Sequence, residues 1–295
     1  PLHYPLSLVA LESRNLRALI VEKPMADTPA HAERMLALAQ DRGVVLVVCH
    51  QTSCTPPVGF AAEMLERGEI GALQKVEITG KGYFAGYEMF NIAPHYLNAA
   101  TIFTGPVTGV RANAIDPQVV QLPYGFGPSL GSGIEAAFDT LDGVPIHLSL
   151  IQRDKPSSEH MAVDLVGETG TLRLYWKWWL HLRRGQGEWQ RIEIPQERRM
   201  LNGHDFAERQ GGDDWLAEAT IFQVKGGERD HPASGARALN VTAALHAALV
   251  SAHQGSAVAI DGQYGAYVVP KADLDPRHSI LRYREWVTRK QWLRA

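Results

Sequence analysis

The sequence predicts an α/β protein in two parts: the closing portion of a doubly wound parallel-sheet domain, then an α/β domain built on a large open antiparallel sheet. Three observations carry this. Two apolar runs of strand length, LRALIV (16–21) and VVLVVCHQ (44–51), flank one helical segment and make a βαβ unit. From about Thr108 to Ile194, strand-length runs follow one another at hairpin spacing, separated by Gly, Pro and Asp. A length of 295 residues, 45% of them hydrophobic and 21% charged, is enough for two globular cores. The expected division is 1–52 and 53–295, with the final helices packing back on the first part.

Residues 5–13 read as a short helix and 16–21 as a buried strand that stops at Glu22-Lys23-Pro24. DTPAHAERMLALAQDRG carries a cap candidate at Asp27 or Thr28, a proline in the first turn and a closing Gly43, so it reads as a helix. The strand 44–51 follows. Two parallel strands leave an unpaired edge and an uncovered face, so further strands are expected from elsewhere, before Pro1. PPVGFAAEMLERGEIG reads as a helix, LQKVEITGKGYF as a strand, and EMFNIAPHYLNAATIFTG as one helix despite Pro94. IEAAFDTL, VPIHLSLIQ, HMAVDLVG, GTLRLYW and EWQRIEI supply the antiparallel sheet. Two helices are expected over 206–225 and 234–254, and the tail from Asp261 has no assigned form.

Charge and composition narrow the partners. A formal net charge of -3 with dispersed basic residues gives no electrostatic reason to expect nucleic acid. No run of about 18 apolar residues is present to span a membrane. Cys49 and Cys54 are the only cysteines, which fits a reducing, cytoplasmic setting. Together with His50 they lack the spacing of a zinc knuckle, and no metal is expected. The glycine-rich YGFGPSLGSG (124–133) lacks the Lys-Ser/Thr ending of a phosphate cradle and reads as a flexible loop. YWKWWLHLRRGQGEW places four tryptophans in one hairpin, which suits burial in an interface better than sugar stacking.

In an open parallel sheet, ligands bind beyond the carboxyl ends of the strands. Lys23 lies at one such end, and His50 with Gln51 at the next, so these groups should face one crevice. On its own residues Lys23 reads more readily as a solvated loop lysine than as a site residue. Asn91 and His95, four apart, would share a helix face, and the imidazole could exchange a proton at neutral pH or simply pack against the sheet.

VEKPMA, LALAQDRGVVLVVCHQ, EMLERGEIGALQKVEI, NIAPHYLNAATIFTGPVTGVRA and GARALNVTAALHAALVSAHQGSAV, in that order, resemble the Gfo/Idh/MocA oxidoreductases, the glucose-fructose oxidoreductase and inositol dehydrogenase group. The resemblance implies a Rossmann domain binding NAD or NADP, and hydride transfer between nicotinamide and a carbinol carbon of a sugar or polyol. It also implies a homo-oligomer joined through the antiparallel sheet. The family's Glu-Lys-Pro motif falls on Glu22, Lys23 and Pro24, which with His50 and Gln51 would line the cofactor side. Its Asp-x-Gly-x-x-like signature, Asp, any, Gly, any, His, falls on Asn91 to His95. His95 becomes the acid or base on the substrate hydroxyl, with Lys23 assisting and Asn91 in place of the aspartate. An NAD-dependent glycoside hydrolase and a non-catalytic regulatory homologue are the alternatives. The arginine often seen after the second strand is replaced by Thr52 and Ser53, and no Gly-x-Gly-x-x-Gly occurs in the sequence.

Overall fold

The computed structural model describes residues 2–122, 125–175, 180–206, 208, 212–227 and 230–262, with the side chains of 118–129 set aside. Helix α1 (His3–Leu11) leads through β1 (Ala18–Val21) and α2 (Pro29–Asp41) to β2 (Val45–Val48). The strands pair in parallel, from Ala18 opposite Val45 to Val21 opposite Val48. Thr28 is the residue that caps α2, its Oγ1 accepting the His31 N–H at 3.2 Å, while Asp27 instead contacts the His31 ring.

A single 3₁₀ turn, Gln51–Cys54, joins β2 to α3 (Pro56–Glu66), and β3 (Leu73–Thr79) follows. The single helix expected next is two: α4 (Ala85–Asn91) and α5 (Ala93–Thr104). Proline explains the break. In one continuous helix Pro94 would have to donate to the Phe90 carbonyl, which it cannot, and its ring would crowd that oxygen. In the first turn of a new helix the missing N–H costs nothing.

The strands β4 (Val107–Ile115), β5 (Gln118–Leu122), β6 (Gly125–Ser129), β7 (Gly133–Thr140) and β8 (Ile146–Ile151) come next. They are followed by β9 (Ala162–Gly167), β10 (Gly170–Tyr175), β11 (Leu180–Arg184) and β12 (Gln190–Ile192). Short α6 (Gln196–Arg199) and the hairpin β13 (Met200–Leu201) and β14 (His204–Asp205) precede α7 (Asp213–Val224), α8 (Gly235–Gln254) and β15 (Val258–Ala259). Among the described residues, nine strands form one sheet in the order β12-β11-β10-β9-β3-β8-β7-β4-β15.

The large sheet is mostly antiparallel, as expected, with one exception and two further changes. β3 pairs in parallel with β8 while its other neighbour, β9, is antiparallel. Two helices and four strands intervene between β3 and β8, so no turn dictates their direction. Residues 125–129, expected as a loop, are strand β6 paired with β5. Helix α7 starts at Asp213 rather than 206. The tail from 263 and three of the four hairpin tryptophans lie outside the described residues.

The inner face of the large sheet buries Ile78, Ile134, Phe138, Ile146, Leu148 and Leu165 in one core with α5 and α8. A smaller core joins Met35 of α2 and Leu46 of β2 to Ala238 and Leu239 of α8. Helix α8 therefore serves both. Just before it, the Val48 N–H donates to the Ala233 carbonyl at 3.0 Å and Val47 bridges Ser234 in antiparallel fashion.

Candidate functional site

The site is assembled where strands end. Val21 closes β1 and Lys23 follows two residues later, joined to Pro24 by a cis peptide bond. Glu22 is exposed and its carboxylate accepts the Lys23 N–H at 3.2 Å. The Lys23 side chain turns inward. Its Nζ donates to the Asn91 carbonyl at 2.7 Å and to Asn91 Oδ1. Pro24 is tied to α1, its carbonyl 2.7 Å from His3 Nδ1. Burial lowers the Lys23 pKa, while Glu22 and Cys49 oppose the drop.

His50 and Gln51 follow β2 at the adjacent strand end. His50 is 1% exposed and neither ring nitrogen has a hydrogen-bonding partner; Gln51 Oε1 is likewise buried without one. The turn carrying them is fixed from α5, where Asn98 Nδ2 donates to Ser53 Oγ at 2.6 Å and to the Pro232 carbonyl at 2.8 Å. Serine and threonine after β2 thus form a buried anchoring turn, with Thr55 Oγ1 donating to the Thr52 carbonyl at 2.7 Å.

His95 lies in the first turn of α5, only 5% exposed, with Nδ1 unpartnered. Its ring meets that of His50 edge to face, centroids 6.0 Å apart. Burial holds the His95 pKa well below its ordinary value, with His50, Lys23 and Lys81 adding to the effect. Burial likewise brings His50 down to about 4, with the Asn98 side chain opposing and Lys23 reinforcing. Both imidazoles are neutral at pH 7. Asn91 and His95, placed on one helix face by spacing, are instead separated by the break at Ile92, which frees both Asn91 oxygens for Lys23.

Sequence reading missed Lys81, Glu88 and Asn98. Glu88 on α4 is 0% exposed and accepts the backbone N–H groups of Lys81 at 3.0 Å and Tyr83 at 2.8 Å. Burial raises its pKa to about 7 against these hydrogen bonds and the Lys81 charge. Gly80 is required here, because a Cβ would stand 2.0 Å from Glu88 Oε2. The signal was a lysine between two glycines just past β3, the same strand-end position that drew attention to Lys23.

Cys49 and Cys54 are free thiols, pushed up by burial to about 11 and about 12. Among the described residues no group of three or more His, Cys, Asp or Glu could hold a metal ion. No described helix is long and apolar enough to cross a membrane.

Residues 1–50 match the family model GFO_IDH_MocA, described as oxidoreductase family, NAD-binding Rossmann fold. Over that stretch the chain is similar to the Gfo/Idh/MocA oxidoreductases. A stretch of 102 residues is 33% identical to the galactose/lactose metabolism regulatory protein GAL80 of Kluyveromyces lactis. That match covers 33% of the chain and 22% of the relative's length. An oxidoreductase from Agrobacterium radiobacter, solved with NAD+, L-tartaric acid and magnesium, shares the fold with a TM-score of 0.66 at 19% identity, covering 90% of this chain and 78% of that one. Levoglucosan dehydrogenase, solved with NADH and levoglucosan, gives a TM-score of 0.69 at 16% identity over 88% and 77%.

Proposed function

We propose that the chain forms the catalytic crevice of an NAD(P)-dependent oxidoreductase that transfers a hydride between nicotinamide and a carbinol carbon of a sugar or polyol. One observation carries it: a neutral, buried His95 with an unpartnered Nδ1, facing the strand-end crevice that Lys23 enters from β1. Relatives of this fold solved with NAD+ and NADH support the reading.

The residues beyond β1 and β2 fit the nicotinamide end of a dinucleotide. Glu22, Lys23 and Pro24 line one strand end, and Gln51 offers an orphaned buried acceptor at the next. The nicotinamide supplies the hydride acceptor in oxidation and the donor in reduction. Everything else falls to the protein. His95, held neutral, accepts the proton of the substrate hydroxyl; its low pKa lets it return that proton in the reverse direction. The Lys23 ammonium steadies developing charge on the substrate oxygen, and Asn91 holds that ammonium with two oxygens. The Asn98 tether keeps His50 and Gln51 against α5 so that the crevice does not spread.

The test is turnover and cofactor affinity in Lys23→Ala and His95→Ala. Turnover should fall about 10²-fold to 10⁴-fold with cofactor affinity nearly unchanged. Near-native turnover in both variants sinks the reading. A second reading, a regulatory protein that binds a dinucleotide or sugar without turnover, is favoured by the likeness to GAL80. Ligand binding without cofactor reduction across a sugar and polyol panel would establish it.

A further inference from the structure

Glu88 is a buried ionisable group that the proposed reaction leaves unused. It stands in α4, a helix of only 7 residues with no side-chain cap at Phe84. So short a helix has little stability of its own, and its place is set by what it packs against. Glu88 supplies a polar part of that packing. Its carboxylate, 0% exposed, reaches back to the turn after β3, one oxygen accepting the Lys81 N–H at 3.0 Å and the other the Tyr83 N–H at 2.8 Å. That turn is itself pinned from its far side. The Lys81 carbonyl accepts the Ser157 N–H at 2.9 Å, and the Gly82 carbonyl accepts the Arg153 N–H at 2.8 Å. Gly80 leaves no room for a Cβ beside Glu88 Oε2. The Glu88 main chain serves the other end of the helix. Its carbonyl accepts the Ile92 N–H at 2.9 Å, closing the turn that carries Asn91, the residue whose oxygens meet Lys23.

From this geometry we propose that Glu88 is a positioning residue: by bonding α4 to the pinned turn 80–83, its carboxylate sets where Asn91 presents its two oxygens to the Lys23 ammonium. The proposal rests on the reading of Lys23 as a crevice residue and adds a condition to it. Two N–H donors on two oxygens require the carboxylate form. Once the group is protonated, one oxygen carries a hydrogen that competes with an N–H, and that bond is lost. Burial raises the Glu88 pKa to about 7, against the N–H groups of Tyr83, Lys81 and Gly82 and the Lys81 charge. From α5 the Tyr96 phenol feels the Glu88 charge; burial holds its pKa well above the ordinary value, so it stays neutral here. Across the turn stand Arg153, whose stem lies against Gly82, and His160, whose Nδ1 is 3.4 Å from the Lys81 carbonyl. Local order and net stability then run in opposite directions. Rising pH completes both bonds to the turn yet buries a charge, so the contribution of Glu88 to stability falls through the same range.

NMR of the full chain reads this link apart from turnover. In a titration, the Lys81 and Tyr83 amide-proton resonances should shift in one step with a midpoint of about 7. The Asn91 side-chain amide and Lys23 Cε resonances should repeat that step at the same midpoint. Glu88→Gln keeps the shape but has one accepting oxygen in place of two, and should abolish the step at every one of these positions. In assays with a sugar or polyol and NAD or NADP, kcat should fall across the step as pH drops while KM holds. Glu88→Gln should lie about tenfold low in kcat and show no such step. Asn91 and Lys23 resonances that stay flat while Lys81 and Tyr83 titrate overturn the proposal, leaving Glu88 a support for its turn; this comparison needs only the wild-type chain, so it decides even where the variant fails to fold. A step that survives Glu88→Gln overturns it too, as does a variant with wild-type turnover and an unaltered pH profile. A shared step without turnover on any sugar or polyol supports the positioning role and removes the oxidoreductase reading.

Discussion

The two regions that meet at the crevice hold themselves together differently. The nine-stranded sheet of the described residues is held by its own ladder from β12 to β15, and its inner face is packed on α5 and α8. The parallel pair β1–β2 has only four paired residues in each strand and leaves Ile20 exposed. Its other supports come from far along the chain: Ala233 and Ser234 on the β2 edge, and Ala238 with Leu239 against α2. The small region brings Lys23 and His50 to the site, while the large one brings Lys81, Glu88, Asn91 and His95 and fixes them. The cation of the small region is thus positioned by a helix of the other.

That contrast can be broken from either side. The largest stability effect should come from Phe138→Ala in the wide sheet, fully buried and central to its core, costing about 3 to 5 kcal/mol. Thermal unfolding should still show one transition, because α8 belongs to both cores. Two separated transitions would show the regions to be independent. Next comes the tether. Asn98→Ala leaves Ser53 Oγ and the Pro232 carbonyl without their donor and should cost roughly 1 to 3 kcal/mol. It should also lower turnover by loosening the His50 turn; normal activity would break the link between tether and site.

A pH series sharpens the comparison further. His50 and His95 have lowered pKa values in the folded protein, so the unfolded chain binds more protons and stability is lost as pH falls from about 6.5 towards 4. Glu88, raised to about 7, has the opposite sign: its contribution falls as pH rises from the ordinary carboxylate range through 7. Denaturant midpoints for His50→Gln should therefore show a shallower loss on the acid side. An unchanged slope would mean that His50 is not buried neutral. The smallest effect belongs to β3, where Lys75→Ala removes a partly exposed ion pair with Glu77. A change within about 0.5 kcal/mol is expected by calorimetry.

The sequence made β1, α2 and β2 legible because each is a continuous apolar or helical pattern bounded by Pro or Gly. It also pointed to Lys23 and His50, since strand ends in a parallel sheet share a side. The break at Ile92 was present as Pro94 yet was read through, because periodic apolar residues run across it. Lys81 lies just past β3 as Lys23 lies just past β1, but the alternating pattern of 73–84 gives no sign of which sheet that strand joins. Glu88 carried none: a glutamate on a short helix is ordinarily solvated, and only the turn after β3 folding over it makes it a buried anchor.

Local pattern alone determined β1, α2 and β2, and hence that Lys23 and His50 sit at neighbouring strand ends, because side-chain periodicity and parallel pairing there follow from nearby residues. Contacts distant in sequence decided the rest. The Lys23–Asn91 bond, the Asn98 tether and the parallel β3–β8 pair join residues 45 or more apart, where no turn sets direction and only the packing of whole elements does. Burial of His50, Glu88 and His95, and so their charge states, came with that packing. Desolvation is a property of the finished crevice and is written in none of its pieces.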